Sequence, residues 1–270
     1  MIHRGSILRT LFIFRLSPPR RGGLDSSRVK AEHWRQLAAA KKAHGLRVLV
    51  SVGGWGRSDG FSAMALSDTT RSHFIQALLD FCGEHDLDGA DFDWEFPKNP
   101  EEKTAYEALL QECKATFSPQ DLLVTVALNP NQHLSAATYR AVDRIHLMTY
   151  DQGVRHATFE YANNAARRFV DKGAPPKKIA LGIPFYGRRM DNRDVAASYV
   201  ELLNKHAPPP RADEAGGFYF NGPATVRRKT RHAQKIGLGG VMIWEIAQDS
   251  SDEHALLQAI HGAIGKGHRP

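Results

Sequence analysis

Short apolar runs alternate with amphipathic stretches from one end of this chain to the other. Runs of strand length fall near residues 7–14, 46–52, 87–93, 122–128, 144–149, 178–184 and 238–244. Between them, apolar residues recur three and four apart, the helical period. These helical patterns run over 29–44, with Trp34, Leu37, Ala38 and Ala40 on one side, and over 69–85, with Phe74, Leu78, Phe81 and Cys82. Others cover 101–117, 134–142, 162–172, 224–236 and 252–264. Punctuation fits: Ser26-Ser27 precede the first helix, Gly45 follows it, Pro100 and Pro119 bracket the third, and Gly173 with Pro175-Pro176 stops the fifth. Strands alternating with helices imply a parallel sheet covered by helices. Residues 188–222 are polar and proline-rich, with no clear period.

One strand pattern is unlike the rest. Leu87-Asp88-Gly89-Ala90-Asp91-Phe92-Asp93-Trp94-Glu95-Phe96-Pro97 holds four acids in eight residues. Strand alternation places Asp91, Asp93 and Glu95 on one face and Phe92, Trp94 and Phe96 on the other. Flanks this apolar do not suit a solvated acidic ribbon. Neighbouring carboxylates push one another's pKa values apart, which supplies an acid beside a base near neutral pH.

Composition narrows the picture. A chain of 270 residues suits one barrel or two small domains, and 42% hydrophobic residues suffice for a sizeable core. No apolar run reaches the 18 residues that a membrane span needs. The formal net charge of +7 comes from scattered basic residues, with short clusters at Pro19-Arg20-Arg21 and Arg227-Arg228-Lys229. These read as solvated positive surface, so neither a nucleic acid nor a membrane is expected as partner. Two cysteines, Cys82 and Cys113, make no disulfide framework. They read as buried free thiols, with a single bridge as the alternative. The first apolar run is interrupted by Arg9 and no small-residue cleavage site follows, so it reads as a strand and not as a signal peptide. No histidine stands at ligand spacing from Asp91 and Asp93, so no metal or other cofactor is expected. His156 reads as a loop histidine without a role, and His232 and His254 as helix-surface residues.

The segment Asp88-Gly89-Ala90-Asp91-Phe92-Asp93-Trp94-Glu95 resembles the DGxDxDWE signature of glycoside hydrolase family 18, the chitinase family. Four further segments resemble that family's motifs in order. They are Ser51-Val52-Gly53-Gly54, Met148-Thr149-Tyr150-Asp151, Gly182 to Gly187 with Pro184-Phe185-Tyr186, and Gly239 to Glu245 with Trp244. The resemblance implies an α/β fold of the TIM (β/α)8 type and hydrolysis of β-1,4 bonds between N-acetylglucosamine units of chitin or its oligomers. It makes Glu95 the general acid and base, with Asp93 and Asp91 behind it. Tyr150 and Asp151 would hold the substrate's acetamido group, whose oxygen attacks the anomeric carbon. Trp244 would floor the sugar site, and Trp55, Gly54, Met148 and Tyr186 would line it. Asp88 would be structural.

The pattern also departs from the family. Only seven strands are counted, and matching the motifs makes the first of them the family's second, so a barrel without the usual first strand and helix is expected. Residues 1–270 then read as one N-terminally short catalytic domain, whose open barrel edge a second copy would cover. The stretch after Gly187 is too short for the α+β insertion of many family members, which implies a shallower groove. The substrate class implies secretion, although no leader is visible. Two rivals use the same residues. One is an endo-β-N-acetylglucosaminidase acting on N-glycans or peptidoglycan. The other is a non-catalytic chitin-binding lectin of the same fold.

Overall fold

A computed structural model of the chain describes residues 10–18, 24 and 31–265. The start of the first apolar run, the Pro19-Arg20-Arg21 cluster, the Ser26-Ser27 cap and the tail beyond 265 lie outside the described residues. The chain divides into two compact units, Met1–Leu128 with Leu134–Ile145, and Asn129–His133 with His146–Pro270.

In the first unit, β1 (Thr10–Leu16) is followed by α1 (Ala31–His44) and β2 (Arg47–Gly53). Then come α2 (Phe61–Ala65), α3 (Asp68–Glu84) and β3 (Gly89–Asp93). Next are α4 (Pro100–Phe117), β4 (Leu123–Leu128) and α5 (Ala136–Ala141), and β5 (Arg144–Leu147) leads out of the unit. β1, β2, β3 and β4 pair in parallel, each with the next. Every residue of β3 is buried, as a strand covered on both faces must be. Helix starts follow local chemistry: the Asn99 side chain accepts from Glu102 N (2.8 Å) and Pro100 opens α4. The buried Arg71 of α3 donates to both carboxylate oxygens of Glu112 on α4, at 2.9 and 2.6 Å.

The second unit opens with α6 (Phe159–Asp171), β6 (Ile179–Pro184), β7 (Tyr186–Arg189) and β8 (Ala196–Ser198). It continues through α7 (Tyr199–His206), β9 (Glu214–Ala215), β10 (Phe218–Tyr219), α8 (Pro223–Lys235), β11 (Gly240–Trp244) and α9 (Leu256–Ile264). β11 pairs with β6 in parallel, from Gly240 opposite Ala180 to Trp244 opposite Pro184. β8, β7, β10 and β9 form a small antiparallel sheet in that order.

All seven expected strands are present among the described residues. So is every expected helix, with ends shifted by up to four residues. α9, for example, starts at Leu256 because the Asp249 carboxylate accepts from Leu256 N (2.8 Å) and Leu257 N (2.9 Å). The five residues of α2 and the sheet and helix within 186–219 were not foreseen. Strands of two to four residues are too short to display a period. Cys82 and Cys113 are buried free thiols, and burial pushes the Cys82 thiol up to about 12. Three expectations need correction. Phe96 is exposed, because the chain leaves the strand after Asp93. Lys229 is not solvated surface but 0% exposed, since helical spacing groups it with the buried Val226, Thr230 and Ala233. His156, read as an ordinary loop residue, is fully buried.

Gly89 opens the acidic strand with φ +141°. A Cβ there would strike the backbone of Leu123, its partner on β4. Gly89→Ala should therefore lower the unfolding free energy by more than about 2 kcal/mol. Urea denaturation checks this, and a variant with an unchanged midpoint would contradict the tight β3–β4 approach.

Candidate active site

The first unit carries Asp91, Asp93, Glu95, Trp55 and Gly54. On β3, Ala90 and Phe92 face the helices, where the Phe92 ring meets Phe74 of α3 edge-on at 6.5 Å. Asp91 and Asp93 therefore point the other way, and both are buried. Register supplies a donor: Thr125 lies opposite Asp91, and its hydroxyl donates to Asp91 Oδ1 at 2.5 Å. At the end of the strand, Asp93 O accepts from Gly54 N (2.6 Å), so the glycine pair that closes β2 grips the exit of β3. Gly53, at φ +95°, has no room for a Cβ beside Asp93 O and the Phe61 ring. Ser58 completes the grip: Glu95 N donates to its hydroxyl at 2.9 Å.

Trp94 is withdrawn into the core, stacked on Phe61 at 5.0 Å and edge-on to Tyr106 at 5.3 Å. Tyr106 in turn donates to Phe92 O at 3.1 Å. This aromatic packing anchors the chain on either side of Asp93 and leaves Glu95 half-buried at the strand exit. The Glu95–Phe96 peptide bond is cis. Trp55 is 79% exposed, a free aromatic face beside the glycine pair. Asp88 is structural, as expected: Val48 N donates to its Oδ2 at 2.7 Å and Lys41 lies 3.2 Å away.

The second unit carries Met148, Tyr150, Asp151, Tyr186 and Trp244. Thr149 Oγ1 donates to Gly182 O at 2.6 Å, tying the chain after β5 to β6. Met148 and Tyr150 are buried, and Tyr150 Oη lies 3.9 Å from Met242 Sδ on β11. Trp244 ends β11, and its carbonyl accepts from Phe185 N at 2.8 Å. Asp151 adopts the left-handed conformation, at φ +63°. Each oxygen of its half-buried carboxylate accepts a hydrogen bond. Tyr186 donates to Oδ2 at 2.8 Å and Arg188 Nε donates to Oδ1. Tyr186 and Arg188 stand two apart on β7, so one strand face delivers both.

Burial alone would raise the pKa of Asp151, but the hydrogen bonds from Arg188 and Tyr186, with the Arg188 charge, outweigh it and hold the group far below the usual carboxylate range. The same contact works on the partners: burial and Asp151 push Tyr186 up, and the hydrogen bond to Asp151 raises Arg188. Asp151 is thus a fixed anion and Tyr186 a fixed donor throughout the neutral range. Arg188, Ser58 and Thr125 were missed in the sequence. None had a local signal: Arg188 stands on a strand of four residues, too short to display a period, Ser58 in a loop and Thr125 in an apolar strand. Among the described residues, no group of three or more His, Cys, Asp or Glu is placed to hold a metal ion. No helix among them is long and apolar enough to cross a membrane.

Comparison with known proteins gives the family. The description "Glycosyl hydrolases family 18" matches residues 16–249. The "Probable chitinase 10" of Drosophila melanogaster is 27% identical over 83% of this chain, which spans 13% of that relative's length. The crystal structure of the GH18 chitinase ChiB from the chitin utilization locus of Flavobacterium johnsoniae superposes with a TM-score of 0.85. It is 25% identical, and the match covers 96% of this chain and 87% of that one. The chitinase-like agglutinin RobpsCRA from Robinia pseudoacacia shares the fold, with a TM-score of 0.82 at 21% identity over 94% of this chain and 93% of its own. With its ordered motifs and a barrel-type α/β fold shared with solved chitinases, the chain belongs to glycosyl hydrolase family 18.

Proposed function

We propose that the protein hydrolyses β-1,4 bonds between N-acetylglucosamine units, in chitin or its oligomers, with retention. The observation that carries this reading is the acid series on β3. Asp91 and Asp93 are buried on one strand face, and Glu95 follows at the strand exit, held by Ser58. Burying two carboxylates side by side is costly unless the fold uses them.

In this mechanism Glu95 donates its proton to the glycosidic oxygen as the bond to the anomeric carbon breaks. The substrate's own acetamido oxygen forms the new bond to that carbon, giving an oxazolinium ion. Glu95 then takes a proton from water, whose oxygen bonds to the anomeric carbon as the bond from that carbon to the acetamido oxygen breaks, restoring the acetamido group. Asp93, with Asp91 behind it, orients the acetamido N–H and offsets the positive charge that develops. Family 18 is a known substrate-assisted exception to hydrolysis by two carboxylates. Tyr150 and Asp151 hold the acetamido group, and Tyr186 steadies Asp151. Trp244, Trp55, Gly54 and Met148 line the sugar path. The substrate class also places the protein outside the cell.

Sugar binding without turnover is a second reading, favoured because an agglutinin carries the same fold. Glu95→Gln separates the two. Turnover of an N-acetylglucosamine tetramer should fall roughly 10²–10⁴-fold while its dissociation constant stays within a few fold. Turnover that survives removes Glu95 from the acid role, and a wild type that binds the tetramer without cleaving it establishes the lectin.

The depressed pKa of Asp151 has a kinetic consequence. Being ionised well below the usual carboxylate range, it should produce no inflection in KM as pH falls from 7 to 5. Arg188→Met removes a stabilising cation, so the Asp151 pKa rises toward the usual carboxylate range, and in profiles carried down to about pH 4 KM should begin to climb at a higher pH in that variant than in the wild type. Parallel KM profiles for the two proteins would sever Asp151 from substrate binding.

A further inference from the structure

Lys229 is the most deeply buried cation among the described residues, at 0% exposure on α8. Its ammonium donates to Ala157 O at 2.8 Å and to Asn221 Oδ1 at 2.7 Å. The buried Asn221 donates back through Nδ2 to the same Ala157 O, at 2.8 Å. Two buried donors thus converge on one backbone carbonyl. Among the described residues, no carboxylate lies within salt-bridge distance of Lys229. Burial draws its pKa down to about 7, and Asp213 and Glu160 at longer range pull it partly back. A methionine of similar length would pack there without that cost, so the retained ammonium points to a need at Ala157.

Ala157 directly follows His156. The His156 ring is fully buried, 5.3 Å from the Tyr186 ring and 6.0 Å from that of Tyr219. Its Nδ1 accepts from Asp151 N at 3.3 Å and lies 3.5 Å from Asp151 Oδ1. Gln152 N donates to His156 O at 3.1 Å, closing the loop upon itself. The imidazole therefore holds the backbone N–H of a residue in the left-handed region, a conformation that aspartate tolerates and that this contact fixes in place.

We propose that Lys229 and Asn221 are positioning residues: by clamping the Ala157 carbonyl they seat His156 against Asp151 and fix the direction of the Asp151 carboxylate. This rests on the reading of Asp151 as a substrate-binding group. It gives Lys229, His156 and Asn221 roles that act through Asp151 and need no contact with sugar.

Two measurements test it on the full chain. The first reads the His156 ring nitrogens by 15N NMR in wild type, Lys229→Met and Asn221→Ala. Asn221→Ala keeps the lysine and removes the second donor to the Ala157 carbonyl, so it tests the clamp without deleting Lys229, and it stands in if Lys229→Met does not fold. Both variants should shift the ring nitrogens; unchanged shifts in folded Asn221→Ala overturn the clamp. The second is a double-mutant cycle with an N-acetylglucosamine tetramer as substrate. Lys229→Met should lower kcat/KM by about 10- to 100-fold, but by less than about twofold in an Asp151→Asn background. Equal losses in both backgrounds mean that Lys229 merely stabilises the fold, and the positioning role is lost. If Asp151→Asn alone leaves kcat/KM unchanged, the reading of Asp151 fails, whereas the clamp stands or falls by the spectra.

Discussion

A carboxylate taken out of water must be given donors, and in both units the sheet register decides which donors it meets. On β3, Asp91 lies opposite Thr125, and a single parallel pairing brings a hydroxyl to its oxygen. On β7, alternation puts Tyr186 and Arg188 on one face, where both reach Asp151. A slip of one residue in either strand would send these side chains to the opposite face, leaving the buried Asp91 without its hydroxyl and the half-buried Asp151 without its donors. At Asp91 the cost of that error is about 1–3 kcal/mol, a sizeable share of a domain's net stability. The acids therefore constrain the fold as strongly as the fold positions the acids.

Backbone contacts around these strands follow from the same constraint. Glycine at 53 allows the chain after β2 to press against Asp93 O, and Ser58 then fixes the amide of Glu95. Trp94 and Tyr106 pack behind, so the segment from Phe92 to Glu95 is gripped from both sides. In the second unit Thr149 plays a comparable part by bonding to Gly182 O. In each case a small or hydroxylic residue stops the strand end from fraying where an acid follows. Groups aimed this way lose little entropy on meeting a ligand, which is how a rigid scaffold supplies orientation.

Much of this was legible in the sequence because period carries it. The seven strands and the long helices each display enough residues to reveal alternation or the helical repeat, and the acid series announces itself by spacing alone. What escaped was either too short or too indirect. α2 and the strands of the small sheet hold too few residues for a pattern. Ser58 and Thr125 matter only through which strand they face, and no local signal reports that. Lys229 was misread for a different reason: a run of three basic residues suggests solvent, but on a helix consecutive residues point about 100° apart. Its companions Val226, Thr230 and Ala233 mark the buried face, and applying the helical period residue by residue would have placed it there. His156 was misread in the same way, since a polar residue in a loop looks exposed until its partners are known.

The fold does not decide what the chain does to a sugar, because one architecture serves hydrolases and agglutinins alike. Binding an amino sugar needs a donor–acceptor frame and an apolar floor, which Asp151, Tyr186 and Trp244 are suited to supply. Breaking its bond needs one thing more, a proton delivered at the oxygen that leaves. A lectin gains nothing from burying acids in a series behind an exit glutamate, since each buried charge must be offset by donors elsewhere. The burden carried by Asp91 and Asp93 is therefore the physical argument for catalysis. It lies in the side chains that the common fold leaves free to vary.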